Sequence, residues 1–200
     1  MPTKLTLTLA ITGASGAALA RAALARLQAD EHVERVDLVA SPHGLRVMRE
    51  ELKLAEGRLD QLAERLLGGP APKVLIHDDR DIGANIASGS YPSQGMIVLP
   101  CSMGTCAAIA HGLADSLIER AADVCLKEKR RLLLAIRETP LHRIHLRNLL
   151  AADEAGATIY PVMPAFYDGA ASTEAMTQQF AARLLSHFGL TAPDMFQWQG

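Results

Sequence analysis

The chain has 200 residues, 49% of them hydrophobic, which is enough to bury a core and too apolar for a disordered chain. Twenty basic residues stand against twenty-two acidic ones, so the formal net charge is −2, and no basic block is present that could follow a phosphate backbone. These numbers favour one globular domain and argue against a nucleic-acid partner.

The first segment, Leu5–Ile11, alternates apolar residues with Thr as a strand does, and it lacks the apolar run and cleavage site of a signal peptide. No window holds the roughly eighteen apolar residues that a membrane helix needs. The three cysteines, Cys101, Cys106 and Cys125, form no C-x-x-C pair, so we expect reduced, inert thiols in the core. The sequence thus predicts a cytoplasmic protein with no membrane partner.

Strand-like apolar runs alternate with segments of helical periodicity along the chain. The predicted strands are Leu5–Ile11, Arg35–Ala40, Val74–Ile76, Gly95–Leu99, Leu132–Ile136 and Thr158–Val162. The predicted helices are Gly16–Ala29, Pro42–Leu52, Leu59–Leu67, Ser102–Ala110, Ser116–Lys127, Leu141–Ala155 and Thr173–Phe188. This alternation predicts an α/β fold, a mostly parallel sheet with helices on both faces, in a single domain over residues 1–200.

Two local predictions concern the connections. Thr139 is a candidate cap for the sixth helix, and Pro140 suits its first turn. The turn-rich stretch Gly83–Ser93 fits neither a strand nor a helix, and unassigned loops of that length are often functional.

Hydroxyl-bearing junctions follow three of the predicted strands. They are Thr12-Gly13-Ala14-Ser15-Gly16, Ser41-Pro42 and Pro100-Cys101-Ser102-Met103-Gly104-Thr105. Each could be an ordinary helix cap, but the carboxyl ends of parallel strands are also where α/β sheets bind ligands. Unpaired N–H groups at the helix that follows Gly16 would favour a phosphate. Because the dinucleotide fingerprint G-x-G-x-x-G is missing, the three junctions together favour a mononucleotide.

Charged residues at the end of the fifth strand are a second candidate site. Arg137 could bind an anion and Glu138 could transfer a proton, or the two could form a structural ion pair. Upstream, Arg120 and Lys127 are two helical turns apart and share one side of the helix, which is densely charged and could simply be solvated.

Two patterns weakly suggest a metal. Asp78-Asp79-Arg80-Asp81 is similar to an Asp-rich magnesium motif, but no second Asp cluster accompanies it, so a solvated loop is expected. His142 and His145 have a ligand-like spacing without a carboxylate or cysteine to complete a set, so His145 is expected to pack within its helix.

Several motifs together resemble the flavin prenyltransferases of the UbiX/Pad1 type, formerly described as aromatic acid decarboxylases. The matching segments are Thr12–Gly16, Ser88-Gly89-Ser90, Pro100–Thr105, Leu117–Glu128, Arg137-Glu138-Thr139-Pro140, His145-Leu146 and Pro164-Ala165-Phe166-Tyr167. The resemblance implies a three-layer Rossmann-like fold of the flavodoxin type. It also implies a homo-oligomer, commonly a dodecamer, with sites at subunit interfaces and a C-terminal helix and tail that pack on neighbouring subunits.

The resemblance further implies a reaction. Enzymes of this family join the dimethylallyl group of dimethylallyl monophosphate to N5 and C6 of reduced FMN, without a metal. The prenylated FMN then serves as the cofactor of a separate UbiD-type decarboxylase.

Site residues follow from the resemblance position by position. FMN would be held by Gly13, Ala14, Ser15, Ser41, Ser102, Met103, Gly104, Thr105 and Arg137. Dimethylallyl phosphate would be surrounded by Lys127, Glu138, Tyr167, Arg183, Arg120 and Ser90. The catalytic residues would be Glu138, Lys127, Glu51 and Ser15, and Trp198 lies in a C-terminal segment that can approach the site.

Two other functions compete with this one. A related flavin-dependent decarboxylase of peptidyl or pantothenoyl cysteine would share the FMN site, but this chain has no obvious counterpart of the Asn-rich loop of those enzymes. A non-catalytic FMN carrier would not need Lys127, Glu138, Tyr167 and Arg183.

Overall fold

Six parallel strands form one sheet in the computed structural model, which describes residues 4–166 and 172–197. The strands are β1 (Leu5–Ile11), β2 (Val33–Ala40), β3 (Val74–Asp78), β4 (Gly95–Cys101), β5 (Arg131–Ile136) and β6 (Thr158–Ile159). Their order across the sheet is β3-β2-β1-β4-β5-β6, and every neighbouring pair is parallel. All seven residues of β4 are buried, as expected for a central strand covered on both faces.

Seven α-helices connect and cover the strands in the described part of the chain. They are α1 (Ala17–Ala29), α2 (Pro42–Leu52), α3 (Leu62–Leu67), α4 (Met103–Ala110), α5 (Leu117–Lys127), α6 (Arg143–Glu154) and α7 (Thr173–Leu185). Short 3-10 turns lie at Leu59–Gln61, Asn85–Ala87 and Ser186–Phe188. No helix of residues 4–166 and 172–197 is both long enough and apolar enough to cross a bilayer.

The sheet separates two hydrophobic cores. On one face, buried side chains of α1, α2, α3 and α7 pack against β1 and β2. On the other, α4, α5 and the Ala152 region of α6 pack against β4 and β5. This three-layer arrangement, with the strand order of the Rossmann fold, confirms the predicted fold class. Strands β1 to β3 form one half of the sheet and β4 to β6 the other, so the strand order reverses between the adjacent strands β1 and β4. A crevice is expected at that switch point.

The predicted elements are confirmed with small shifts at their ends. β1 and α2 have the predicted bounds, whereas α1 begins one residue later because Gly16, with φ 132°, is its non-helical cap. The predicted cap of α6 is wrong. Its helix begins at Arg143, and Nδ1 of His142, not Thr139, accepts the N–H of His145 at 3.3 Å. Thr139 instead donates its N–H to Glu138 at 2.9 Å, so Pro140 lies before the helix.

The C-terminal helix packs within its own chain on its inner face. Phe180, Ala181 and Leu184 of α7 belong to the core that α1 also forms. The following segment is fastened by a paired salt bridge from Arg26 to Asp194, at 3.1 and 2.6 Å. The predicted packing on neighbouring subunits therefore concerns the outer face of α7 and the residues beyond.

Candidate functional site

A cavity of about 390 Å³ lies at the carboxyl ends of the strands, at the switch point between β1 and β4. Its volume is within the range of small-molecule sites. The lining residues are Gly13, Ser41, Pro42, His43, Asp79, Ser102, Gly104, Thr105, Ser116, Ile118 and Glu119. Five of the residues predicted to hold the nucleotide are thus brought together in one cavity.

Three helices point their N-termini into this cavity. Each is capped by a serine: Ser41 accepts the N–H of Gly44 at 3.0 Å, Ser102 that of Thr105 at 3.2 Å, and Ser116 that of Glu119 at 3.3 Å. Helix N-termini carry partial positive charge and unpaired N–H groups. The cavity is therefore suited to an anionic ligand such as a phosphate.

Thr12 fixes the distance between the ends of β1 and β4. Its buried hydroxyl donates to the carbonyl oxygen of Pro100 at 2.8 Å and accepts the N–H of Ser102 at 2.7 Å. These two bonds hold the cap of α4 directly beside the Gly13-Ala14-Ser15 loop, so the geometry of the cavity wall is set by buried contacts.

Asp79 is a wall residue of this cavity. The sequence-based expectation of a solvated loop is therefore wrong for this residue. It is 8% exposed, and its backbone and side-chain oxygens accept the N–H groups of Leu117 and Ile118 at 2.8 and 3.0 Å, so it caps α5. Neighbouring Asp78 pairs with Arg80, which lowers the pKa of the Asp78 carboxyl to about 2. Within the described ranges, no group of three or more His, Cys, Asp or Glu side chains could hold a metal ion.

The N-terminus of α1 is already bound to a carboxylate. Glu51, from the end of α2, accepts the N–H groups of Gly16 at 3.0 Å and of Ala17 at 2.8 Å. These amides were expected to be unpaired and to bind a phosphate, and the structure differs because Glu51 reaches them. Burial raises the pKa of Glu51, but hydrogen bonds from Ser15, Gly16 and Ala17 and the charge of Arg137 outweigh it, so the net pKa is lowered.

Arg137 and Glu138 follow β5 and are exposed at the same edge of the sheet. The N–H of Arg137 donates to the carbonyl oxygen of Cys101 at 3.2 Å, which ties this segment to the end of β4. Because Arg137 acts on the pKa of Glu51, the structure brings Ser15, Glu51 and Arg137 into one neighbourhood. One carboxylate oxygen of Glu138 accepts the N–H of the adjacent Thr139 at 2.9 Å.

Two of the predicted donor-side cations lie on α5 and do not line the cavity, Arg120 in the first turn of the helix and Lys127 at its end. Lys127 pairs with Glu128, and Arg120 donates to the carbonyl oxygen of Ala87 at 3.2 Å and pairs with Asp123 at 2.7 Å. Nine residues separate Lys127 from Ile118 in the cavity wall, which corresponds to about 14 Å along a helix. Lys127 and the neighbouring Ser90 segment are thus away from the cavity of their own chain, whereas Arg120 directly follows the wall residues Ile118 and Glu119.

Arg183 does not join this cluster either. It is exposed in the last turn of α7, on the opposite face of the sheet from α5. The other two predicted substrate-side residues of the C-terminal region, Tyr167 and Trp198, lie outside the described residues. The predicted donor-binding residues therefore come from both faces of one chain.

The cysteines match their predicted structural role. All three are free and buried. Burial raises the pKa of Cys106 to about 11 and that of Cys125 to about 12, and it also raises the pKa of Cys101 well above its usual value. Such thiols are poor nucleophiles at neutral pH.

Sequence reasoning missed His43, Asp79 and Glu119 as wall residues. Two of them could have been predicted from their place in the sequence, because residues just after a strand lie at the carboxyl edge of the sheet. His43 lies two residues after Ser41, and Asp79 directly follows β3. Glu119 has the position of a capping-box glutamate, three residues after the cap Ser116, but its carboxylate accepts the N–H of Asp115, one residue before the cap, at 2.9 Å. The Ser116-x-x-Glu119 pattern was therefore visible before the structure.

Comparison with known proteins identifies the family. A family model described as flavoprotein matches residues 1–181. The chain is 39% identical to the flavin prenyltransferase UbiX of Alkalihalophilus pseudofirmus over 192 residues, which is 96% of this chain and 95% of that protein.

Two solved structures are similar over nearly the whole chain. AnUbiX (PadA1), in complex with FMN and dimethylallyl pyrophosphate, is 41% identical, with a TM-score of 0.86 over 98% of each chain. A dodecameric FMN-dependent UbiX-like decarboxylase from Escherichia coli O157:H7 is 39% identical, also with a TM-score of 0.86, over 98% of this chain and all of that one. The chain therefore belongs to the UbiX family of flavin prenyltransferases.

Proposed function

We propose that this flavin prenyltransferase transfers the dimethylallyl group of dimethylallyl monophosphate to N5 and C6 of reduced FMN. The observation that carries the proposal is the convergence of three capped helix N-termini on one cavity, in a chain that is about 40% identical to UbiX proteins over almost its full length. A related structure holds the pyrophosphate, so the choice of the monophosphate is a part of the proposal that a comparison of the two donors tests.

The cavity offers FMN three helix N-termini for its phosphate and a volume of about 390 Å³. The phosphate of FMN would bind at the N-terminus of α4, where Ser102 and Thr105 offer hydroxyls 3.0 Å apart. Gly104 leaves the wall open, because a Cβ there would meet nothing closer than Ser102 Oγ at 4.0 Å. Gly13, Ala14, Ser15, Ser41, Met103 and Arg137 would complete the binding set. Reduced flavin, when bound, supplies the nucleophilic atoms of the reaction.

The chain's own residues would act on the leaving phosphate and on protons. Loss of an allylic phosphate requires stabilisation of its growing negative charge, and Lys127, Arg183 and Arg120 supply cations for it while Ser90 and Tyr167 supply hydroxyls. No metal is needed if these cations act together. Glu138, and Glu51 with Ser15 beside it, would be the carboxylates that move protons.

We infer that a complete site combines several subunits. Lys127 is about 14 Å along α5 from the cavity of its own chain, and Arg183 lies on the opposite face of the sheet. A homo-oligomer, such as the dodecamer of the related Escherichia coli protein, would bring these groups from neighbouring chains to each cavity. Exposed apolar side chains on α6, among them Ile144 and Leu150 at 63% and 58% exposure, would be covered in such an assembly.

The product would leave for another enzyme. We propose that a UbiD-type decarboxylase accepts prenylated FMN, as the resemblance to the family implies. The three free thiols are compatible with a reducing compartment, and we place this exchange in the cytoplasm.

One incubation tests the central proposal. The protein is mixed anaerobically with reduced FMN and dimethylallyl monophosphate, and the flavin is then weighed by mass spectrometry. The expected result is a gain of one dimethylallyl group, with a smaller yield from the pyrophosphate. An unchanged flavin mass in a protein that has bound FMN would contradict the transferase and favour an FMN carrier.

Glu138→Gln is expected to preserve FMN binding and slow adduct formation by about 10²-fold or more, since loss of a general acid–base group has effects of that size. The glutamine retains an oxygen to accept the N–H of Thr139, so the local backbone is kept. Single-turnover formation of the adduct and titration of FMN fluorescence measure the two effects. Glu154→Gln, at the exposed end of α6, is the matched control, and a normal rate in Glu138→Gln would remove Glu138 from the reaction.

Gly104→Leu is expected to weaken FMN binding more than about tenfold, because the side chain would enter space that the ligand needs. Leucine favours a helix more than glycine does, so thermal stability should not fall. Gly69→Leu is the control, since a Cβ at Gly69 also meets nothing within 4 Å and this residue does not line the cavity. Equal FMN dissociation constants for both variants would exclude α4 from the binding site.

A further inference from the structure

A buried polar network lies on the sheet face below α5, outside the cavity. Asp37, on β2, is fully buried. One of its carboxylate oxygens is 2.8 Å from Nε2 of His77, and the other accepts the hydroxyl of Tyr91 at 2.9 Å. Arg35 in turn donates to the Tyr91 hydroxyl at 3.1 Å. None of these four residues is needed for the chemistry proposed above.

The network fixes the position of the Tyr91 hydroxyl. A buried carboxylate is costly unless it is hydrogen-bonded, so Asp37 holds its two partners strongly. The phenol donates its hydrogen to Asp37 and accepts a hydrogen bond from Arg35 at its oxygen, so its donor and its acceptor are both paired. Burial raises the pKa of Tyr91, and the hydrogen bond to Asp37 raises it further, whereas the hydrogen bond from Arg35 lowers it. The net pKa is raised, so the phenol stays protonated and remains a donor at neutral pH.

Tyr91 ends an irregular segment that carries Ser90. This segment, residues 87–91, has no strand or helix beyond the turn that ends at Ala87. Arg120 donates to the carbonyl oxygen of Ala87, and Arg130 donates to that of Gly89. With Tyr91 fastened to Asp37, the segment is held at three points, two on the α5 side and one on the sheet.

The held segment lies directly against Lys127. A Cβ at Gly89 would be 2.7 Å from Nζ of Lys127, so the backbone of Gly89 is in contact with that ammonium group. Ser90 is the next residue, and its hydroxyl is 2.9 Å from that of Ser88. Ser90 and Tyr91 share one planar peptide unit, so a displacement of Tyr91 acts directly on the backbone of Ser90.

We propose that Tyr91 is a positioning residue, and that its bond to the buried Asp37 holds Gly89 and Ser90 in register with Lys127 for the phosphate of the donor. This inference rests on the proposed function, which gives Ser90 and Lys127 to that phosphate. It assigns to the Asp37–Tyr91 pair a role in donor binding and none in FMN binding.

Tyr91→Phe tests the proposal, since it removes only the hydroxyl. The expected result is a rise of about tenfold in KM for dimethylallyl monophosphate, with kcat changed less and the FMN dissociation constant unchanged. Arg35→Met removes one bond to the phenol, leaves Asp37 paired and should raise KM by a smaller factor. Thr177→Val is the matched control, because it also deletes one hydroxyl, which donates to the carbonyl oxygen of Thr173 within α7, on the other face of the sheet.

Hydrogen exchange provides a readout independent of activity. Amides of residues 88–91 should exchange faster in Tyr91→Phe, while those of Ser102–Thr105 keep the wild-type rate. An unchanged KM in Tyr91→Phe would overturn the proposal, and so would a joint loss of kcat, FMN affinity and thermal stability, which would indicate a general structural role. If the wild-type protein makes no prenylated flavin, the proposed function fails instead, and the exchange data still report whether Tyr91 holds the segment.

Discussion

Lys127→Ala is expected to lower kcat/KM for dimethylallyl monophosphate by about 10²- to 10³-fold, the range measured when a group that stabilises transition-state charge is removed. Lys127 ends α5, and its ammonium group contacts the segment that carries Ser90. The Glu128 carboxylate now paired with it would be exchanged for the donor's phosphate. The FMN dissociation constant should change little, because the proposed site gives Lys127 to the donor's phosphate and not to FMN.

Steady-state kinetics and FMN titration measure these effects together. Lys129→Ala removes the same charge two residues later, from an exposed position, and serves as the control for general electrostatic attraction. Equal losses in the two variants would show that the local charge density matters and that Lys127 has no specific role. A wild-type kcat/KM in Lys127→Ala would remove it from the site.

Mixed oligomers test whether Lys127 acts across a subunit boundary. Lys127→Ala and Gly104→Leu chains are coexpressed with different tags and purified through both tags. The Lys127→Ala chain keeps an intact cavity, and the Gly104→Leu chain keeps Lys127. If a site takes its cavity from one chain and Lys127 from another, random mixing should restore about one quarter of the sites, the product of one half and one half. Activity no higher than that of the two parents would place both groups in the same chain.

The fold was predictable because its signals are local. Apolar runs as short as Leu132–Ile136 can bury both faces only in a covered parallel sheet, and the helical segments between them supply the cover. The cavity was predictable for a similar reason. A hydroxyl residue that directly follows a buried strand, such as Ser41 or Ser102, must lie at the carboxyl edge of the sheet.

What escaped prediction depends on contacts between distant residues. Asp37 and Tyr91 are 54 positions apart in the sequence and meet only because the loop before β4 folds back over β1 to β2. Asp79 looked like part of a polar loop, although its burial and its bonds to α5 make it structural. The distance between Lys127 and the cavity of its own chain could not be predicted either, because a sequence motif does not show which subunit's site a residue belongs to.

Gly44→Ala is expected to destabilise the protein by about 3 kcal/mol and to reduce FMN binding with it, because it overpacks a contact between two backbones. Gly44 lies in the first turn of α2, where a Cβ would overlap the carbonyl oxygen of Ile11 and lie 2.9 Å from its carbon. Neither atom can move as a side chain could. Ile11 is in the central strand β1, and its carbonyl oxygen already accepts the N–H of Ser41 at 3.0 Å.

Relief of the clash would have to move α2 away from β1. That displacement carries Ser41 and His43 out of the cavity wall and withdraws Met48 from the core. For a chain of this length the midpoint of thermal unfolding should fall by about 6–12 °C. Gly69→Ala, where a Cβ meets nothing within 4 Å, should leave both the midpoint and FMN affinity unchanged. A wild-type melting temperature in Gly44→Ala would mean that α2 is not packed on β1 as closely as the structure has it, and the cavity wall that depends on this contact would have to be redrawn.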